Sequence, residues 1–354
     1  MNLTDDPVIH LITSDYNYSL DYNDSIDFNY DYSPCTDSTT ILGYNSMSAL
    51  ISVVFMAGLV GNSIVVLILT RHIKMKNMTD VCMLNLAISD LLLVLSLPFW
   101  ACYVSGQGFL SDALCKFITG LYLIGFYSSI FFVTLMSIDR YLAIVHAIFA
   151  MRARTLLYGT IASIVIWSVA ICASIPDFVF TEVIIEDNAA ACQPNYPSNN
   201  EKTWKLLRNF EANILGLLIP LIIMTYCYVS ILIVLLRSKT SKRHKAIKLI
   251  FMIVGVFIVF WVPYNITLFL ESLQELNIGK NCGNSQKVIF ARDVTEAISL
   301  VHCCVNPVIY VFAGEKFKKH LGNLFYRLTF CISFCKRTTI RIRVSENETS
   351  NTPV

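Results

Sequence analysis

The chain has 354 residues, 55% of them hydrophobic and only 15% charged, against roughly 25% charged in a soluble globular domain. A mean hydropathy of +0.59 argues against a single large water-soluble core. The net charge of +2 says little, because acidic and basic residues are sorted along the chain, and no nucleic-acid partner is expected.

The first segment, 1–44, is an acidic tail. No Lys or Arg occurs from Met1 to Thr70, whereas eight Asp precede Tyr44. Tyr16, Tyr18, Tyr22, Tyr30 and Tyr32 alternate with Asp15, Asp21, Asp24, Asp27 and Asp31. Such a stretch cannot bury enough apolar surface to fold alone, so it is expected to order only on binding. Its charge would steer a basic protein towards it. Tyrosines beside acids also suit sulfation; the plainer alternative is a solubilising leader. Asn2, Asn17 and Asn23 begin glycosylation sequons. Asn77, Asn265 and Asn347 do so too, but fall in a span or on the opposite side.

Seven apolar runs follow, near 46–70, 80–104, 112–146, 155–176, 205–236, 245–271 and 288–312. Each is long enough to cross about 30 Å of hydrocarbon at 1.5 Å per residue, giving an all-α seven-helix bundle over 45–314. The first begins too late for a signal peptide and is expected to direct insertion itself. Basic residues mark alternate connections: Arg71, Lys74 and Lys76; Arg152 and Arg154; Arg237 to Lys245; then Lys316 onward. The positive-inside rule places these in the cytoplasm and the acidic N-terminus outside. The Glu315–Arg327 stretch is amphipathic and basic, suited to a membrane-surface helix over 315–330, with a cytoplasmic tail over 331–354.

Ionisable groups at bilayer depth are costly and point to function. Asp90 in span 2, Ser129 in span 3 and Asn306 in span 7 fall at comparable depth. They are expected either to hold a small cation such as sodium or to form a water-bridged polar contact. Asp139-Arg140-Tyr141 ends span 3. Arg140 could snorkel, or meet Tyr228 and Tyr310 in a second arrangement, as a two-state switch requires. Glu296 in span 7 is taken as a carboxylate without a nearby base, among Trp100, Tyr122, Phe126, Tyr264 and Trp261. That cup suits an amine through a charge-assisted bond and cation–π attraction; the alternative is an internal ion pair. Pro98, Pro176, Pro220, Pro263 and Pro307 each permit a kink. Cys35, Cys115, Cys192 and Cys282 face the oxidising side, and four cysteines allow three pairings. No internal repeat suggests a transporter, and no nucleophile partners His302 as an enzyme would need.

Gly61-Asn62, Asn85-Leu86-Ala87 with Asp90, Asp139-Arg140-Tyr141, Trp167, Pro220, Trp261 with Pro263, and Asn306-Pro307-Val308-Ile309-Tyr310 together resemble the rhodopsin-like receptors. The stretch from Asp139 to Ala147, with His302-Cys303-Cys304 and Gly314-Glu315-Lys316-Phe317, is similar to the CC chemokine receptors. That resemblance implies disulfides Cys115–Cys192 and Cys35–Cys282, and a chemokine gripped by the tail and loops with its N-terminus against Glu296. It also implies an inhibitory heterotrimeric G protein inside, leading to chemotaxis and calcium mobilisation. Cys331 and Cys335 would be palmitoylated on the inner membrane leaflet. Thr338, Thr339, Ser345, Thr349 and Ser350 would be phosphorylated by receptor kinases for arrestin. A scavenging receptor without G-protein signalling is the alternative, though such receptors commonly alter the Asp-Arg-Tyr region, intact here. Two positions depart from the pattern: Ile51 replaces a usual Tyr, and Gln107-Gly108-Phe109 lacks a usual Trp. Arg243, where an acid could lock Arg140, fits the family and implies a shallower barrier to basal activity.

Overall fold

The computed structural model describes residues 40–73, 75–104, 111–148, 154–186, 189–237, 243–278, 282–313 and 317–323. Helices α1 (Thr40–Arg71), α2 (Met78–Val104), α3 (Asp112–Val145) and α4 (Leu156–Phe180) are the first four expected spans. An antiparallel hairpin then pairs β1 (Thr181–Glu186) with β2 (Ala189–Pro194). The fifth span consists of α5 (Glu201–Asn213), a π-turn (Ile214–Leu218) and α6 (Ile219–Arg237); α7 (Arg243–Glu275) is the sixth. The seventh is divided into α8 (Cys282–Ser299) and α9 (His302–Ala313), and a short helix covers 317–323.

Among the described residues, six helical stretches are apolar and long enough to cross a membrane. Their outward faces carry large side chains such as Leu157, Ile164, Ile222 and Val259, all exposed, as expected where the solvent is lipid. The helix starts follow from local chemistry. Ser111 Oγ accepts from the Leu114 N–H and Thr155 Oγ1 from the Tyr158 N–H, so each hydroxyl caps an otherwise unpaired donor.

The first interruption follows from proline. Pro220 has no N–H for the Gly216 carbonyl one turn back. The chain widens there, and the Ile219 N–H reaches the Ile214 carbonyl five residues earlier. One extra residue rotates the preceding turns by about 100° relative to an unbroken helix. Pro307 likewise frees the Cys303 carbonyl, and Asn62 Nδ2 of α1 donates to it at 3.0 Å. Between α8 and α9 the backbone tightens: Val301 N–H bonds the Ile298 carbonyl and Cys304 N–H the Val301 carbonyl, each three residues back.

Close packing of α2 on α3 depends on Gly125. A Cβ there would sit 2.7 Å from the Leu93 nitrogen and 2.9 Å from the Ser89 carbonyl oxygen. Asn85 ties α2 to α4, accepting from Trp167 Nε1 at 2.9 Å and donating to Ser163 Oγ at 3.2 Å. Ile51 is buried in the apolar core, so this departure from the usual Tyr is absorbed as packing.

Candidate functional site

The polar groups occupy three levels. At the level nearest the hairpin, Tyr122 and Phe126 are one turn apart on α3 and share a face. Trp261 and Tyr264 share one on α7. Phe126 is the hub, with ring centroids 4.9 Å from Trp261, 6.0 Å from Tyr264 and 6.1 Å from Tyr122; Trp100 stands edge-on to Tyr122 at 5.8 Å. Glu296 of α8 closes the cup and accepts from the Tyr122 hydroxyl at 2.5 Å.

Two charged residues that the aromatic reading omitted line the same cavity. Arg208 of α5 and Asp177 of α4 join Tyr122, Phe126, Tyr264 and Glu296 in its wall, with Arg208 Nε 3.1 Å from Asp177 Oδ1. Tyr196, after β2, donates to the same Asp177 oxygen at 3.3 Å. Burial raises the Tyr196 pKa, so this phenol stays a donor. The cup therefore holds an acid–base pair besides Glu296.

The expectation that no base lies near Glu296 needs correction. Arg292 sits one turn before it on α8, and is engaged by Glu271 at 3.1 Å and Asp293 at 2.9 Å.

The hairpin roofs this level. A disulfide joins Cys115 of α3 to Cys192 of β2, Cα atoms 5.8 Å apart. Asp112 Oδ1 accepts from the Val183 N–H at 2.9 Å, and Lys116 Nζ donates to the Val179 carbonyl at 3.2 Å.

At the middle level the expected residues do meet. Asp90, fully buried, accepts from Ser129 Oγ at 2.7 Å and from Asn306 Nδ2 at 2.8 Å. His302 adds Nε2 at 3.8 Å from Asp90 Oδ1 and 3.2 Å from Ser129 Oγ. In this arrangement both carboxylate oxygens face hydrogen-bond donors, and Asn306 presents its NH₂ rather than its carbonyl. Asp90 and Ser129 offer oxygens of the kind a hard cation takes, whereas Asn306 turns its NH₂ towards the carboxylate.

At the third level Asp139 is fully buried and its partner is Arg154, which follows α3 in the connection to α4. Arg154 Nε reaches Asp139 Oδ1 at 2.7 Å and its Nη2 reaches Oδ2 at 3.1 Å, a two-point contact. Thr79 of α2 donates to Asp139 Oδ2 at 2.7 Å and accepts from Arg154 at 2.8 Å. Tyr228 pairs with Ser137 Oγ at 2.9 Å. Tyr141 bonds His146 Nε2 at 2.9 Å. Arg140 makes no hydrogen bond or ion pair among the described residues, which leaves its guanidinium available.

Residues 61–310 match the 7 transmembrane receptor (rhodopsin family). The chain belongs to that family. It is 52% identical to human C-C chemokine receptor type 4 over 293 residues, covering 82% of this chain and 81% of that one. It is 45% identical to human C-C chemokine receptor type 1 over 299 residues, 84% of each. It is thus a multi-pass membrane receptor of the chemokine-receptor family, and not an enzyme.

Several expected sites of this rhodopsin-family receptor fall outside the described residues: Tyr16, Tyr18, Tyr22, Tyr30, Tyr32, Cys35, Asn2, Asn17, Asn23, Cys331, Cys335 and the loop 107–109. The side chains of Arg243, Cys282 and Tyr310 do as well. Of the two expected disulfides, Cys115–Cys192 is formed. Asp177, Arg208 and Thr79 went unsingled in the sequence, and Arg154 was read only as a cytoplasmic charge, because each gains its role only from a partner elsewhere in the fold. The separations are 31 residues for Asp177–Arg208 and 75 for Thr79–Arg154.

Proposed function

We propose that this receptor binds CC chemokines at the plasma membrane, with its N-terminus outside, and signals through inhibitory heterotrimeric G proteins to direct leukocyte chemotaxis and calcium mobilisation. The observation that carries the reading is Glu296, held by the Tyr122 hydroxyl inside an aromatic cup beneath the hairpin. That combination recognises an ammonium group such as a protein's N-terminus. The acidic tail supports a basic protein partner, since opposite charge speeds encounter. At the other end the intact Asp139-Arg140-Tyr141, with Arg140 unengaged, supports G-protein coupling over scavenging. Receptor kinases and arrestin would act on the hydroxyl residues of the 331–354 tail, where phosphate adds the charge that arrestin reads.

The test is a panel of CC chemokines applied to cells expressing the receptor, read as inhibition of adenylyl cyclase. At least one chemokine should lower cyclic AMP. Arg140→Ala should keep chemokine binding and lose that response. Binding and internalisation without any cyclase response in the wild type would instead establish the scavenging reading.

A further inference from the structure

We propose that Asp90, His302 and Cys303 form an intramembrane site for a zinc-class divalent cation, with Ser129 beside the open position. The three donor atoms come from two spans and lie within 4.8 Å of one another. Exposure of the residues is 0% for Asp90, 3% for His302 and 0% for Cys303. Their pairwise spacing is informative. His302 Nε2 is 3.5 Å from Cys303 Sγ and 3.8 Å from Asp90 Oδ1. Ligands about 2.0 Å (N, O) and 2.3 Å (S) from a tetrahedral zinc stand roughly 3.3–3.6 Å apart. The two His302 pairs therefore already stand within about 0.5 Å of the spacing around a zinc ion, and the third pair lies within 4.8 Å.

The imidazole is already set for this role. His302 Nδ1 is 2.5 Å from the Ser299 carbonyl oxygen, which can only accept. The ring proton therefore resides on Nδ1 and the Nε2 lone pair points at the cluster, the outer-sphere arrangement that metal-bound histidines usually show. In the tightened backbone between α8 and α9 the Cys303 N–H bonds the Leu300 carbonyl instead of that of Ser299, which leaves the Ser299 carbonyl to hold His302. Cys304, the neighbouring thiol, points elsewhere and meets the Val54 carbonyl at 3.5 Å.

Charge favours the same ion. Zinc binding releases the Cys303 thiol proton to water, and Zn²⁺ with one carboxylate, one thiolate and one neutral imidazole sums to zero. A neutral cluster is the least costly charged assembly at bilayer depth. Imidazole and thiolate are donors for a borderline-soft cation rather than for sodium. The site also has a readout route, because the His302 ring lies 4.8 Å from the Trp261 ring at the floor of the cup. An ion fixing His302 holds the wall against which Trp261 packs.

The experiment uses purified full-length receptor in lipid nanodiscs, stripped with chelator and titrated with Co²⁺ and then Zn²⁺. One equivalent of Co²⁺ should give a sulfur-to-cobalt charge-transfer band that Zn²⁺ bleaches, and Zn²⁺ should raise Tm. Cys303→Ala and His302→Asn should each remove the band. The loss in zinc affinity should be at least the roughly 10–100-fold that follows loss of an outer-sphere partner. Cys304→Ala should leave both signals intact. If Cys303→Ala expresses poorly, Cys303→Ser serves, since it too lacks the sulfur. The proposal is overturned by a wild-type receptor without the band, or by a band that survives replacement of Cys303. A Tm that responds to Na⁺ and not to Zn²⁺ overturns it equally.

Discussion

Glu296 carries the argument at the scale of single residues. It accepts from the Tyr122 hydroxyl inside the cup, which fixes where the carboxylate sits. Glu296→Gln keeps the shape and removes the charge. A bond to a charged group contributes about 1.5–3 kcal/mol, so chemokine potency in a cyclic AMP assay should fall roughly 10- to 150-fold, with surface expression unchanged. Wild-type potency in that variant would remove Glu296 from ligand recognition. Arg154 is the second residue to test. Removing it strands a buried Asp139, and because Arg154 is itself 26% exposed the cost is moderated by solvent to about 1–3 kcal/mol. If the Asp139–Arg154 contact belongs to the resting state, Arg154→Ala should raise ligand-independent G-protein activation, by roughly 5- to 150-fold for that energy. GTPγS binding in membranes without chemokine measures it, and unchanged basal binding would show that the pair only supports the fold.

At the scale of elements, helix contacts decide which side chains meet. Gly125 lets α2 and α3 approach until a Cβ has no room, and Ser129, one turn along, thereby reaches Asp90. In Gly125→Ala the methyl group would press on α2 backbone. The expected loss is about 1–3 kcal/mol, visible as a lower Tm of the purified receptor; an unchanged Tm would mean that α2 shifts without cost. The prolines were legible as kink sites, but their consequences were not. The carbonyl that Pro307 frees, on Cys303, finds its donor in Asn62, 241 residues away. The hairpin after α4 was also absent from the sequence reading. Its strands are short and hold their place through contacts to α3 rather than through any long alternation of their own.

For the whole molecule, the two ends of the bundle have separate chemistry joined by packed side chains. The cup aromatics continue through Trp261 and His302 to Asp90, and Asp139 lies further along α3. The Cys115–Cys192 bond anchors the roof of the cup to that helix. Cys115→Ala should loosen the hairpin and abolish high-affinity chemokine binding while the bundle still inserts. Radioligand binding on cells with matched surface antibody staining would check this, and preserved affinity would show that the Asp112–Val183 contact holds the roof unaided.

The amino-acid sequence by itself determined the seven spans, their proposed direction across the membrane and the identity of most polar residues within them. Hydrophobic length and the placement of Lys and Arg act locally, so both can be read along the chain. Asp90, Ser129 and Asn306 were legible as a set because each is polar in an apolar run. The tertiary structure decided the pairings: Arg208 with Asp177, Arg154 with Asp139 and Thr79, and His302 with Asp90. Those choices depend on helix rotation, on a glycine that lets two backbones close and on carbonyls released by proline. Such quantities exist only once the helices have packed.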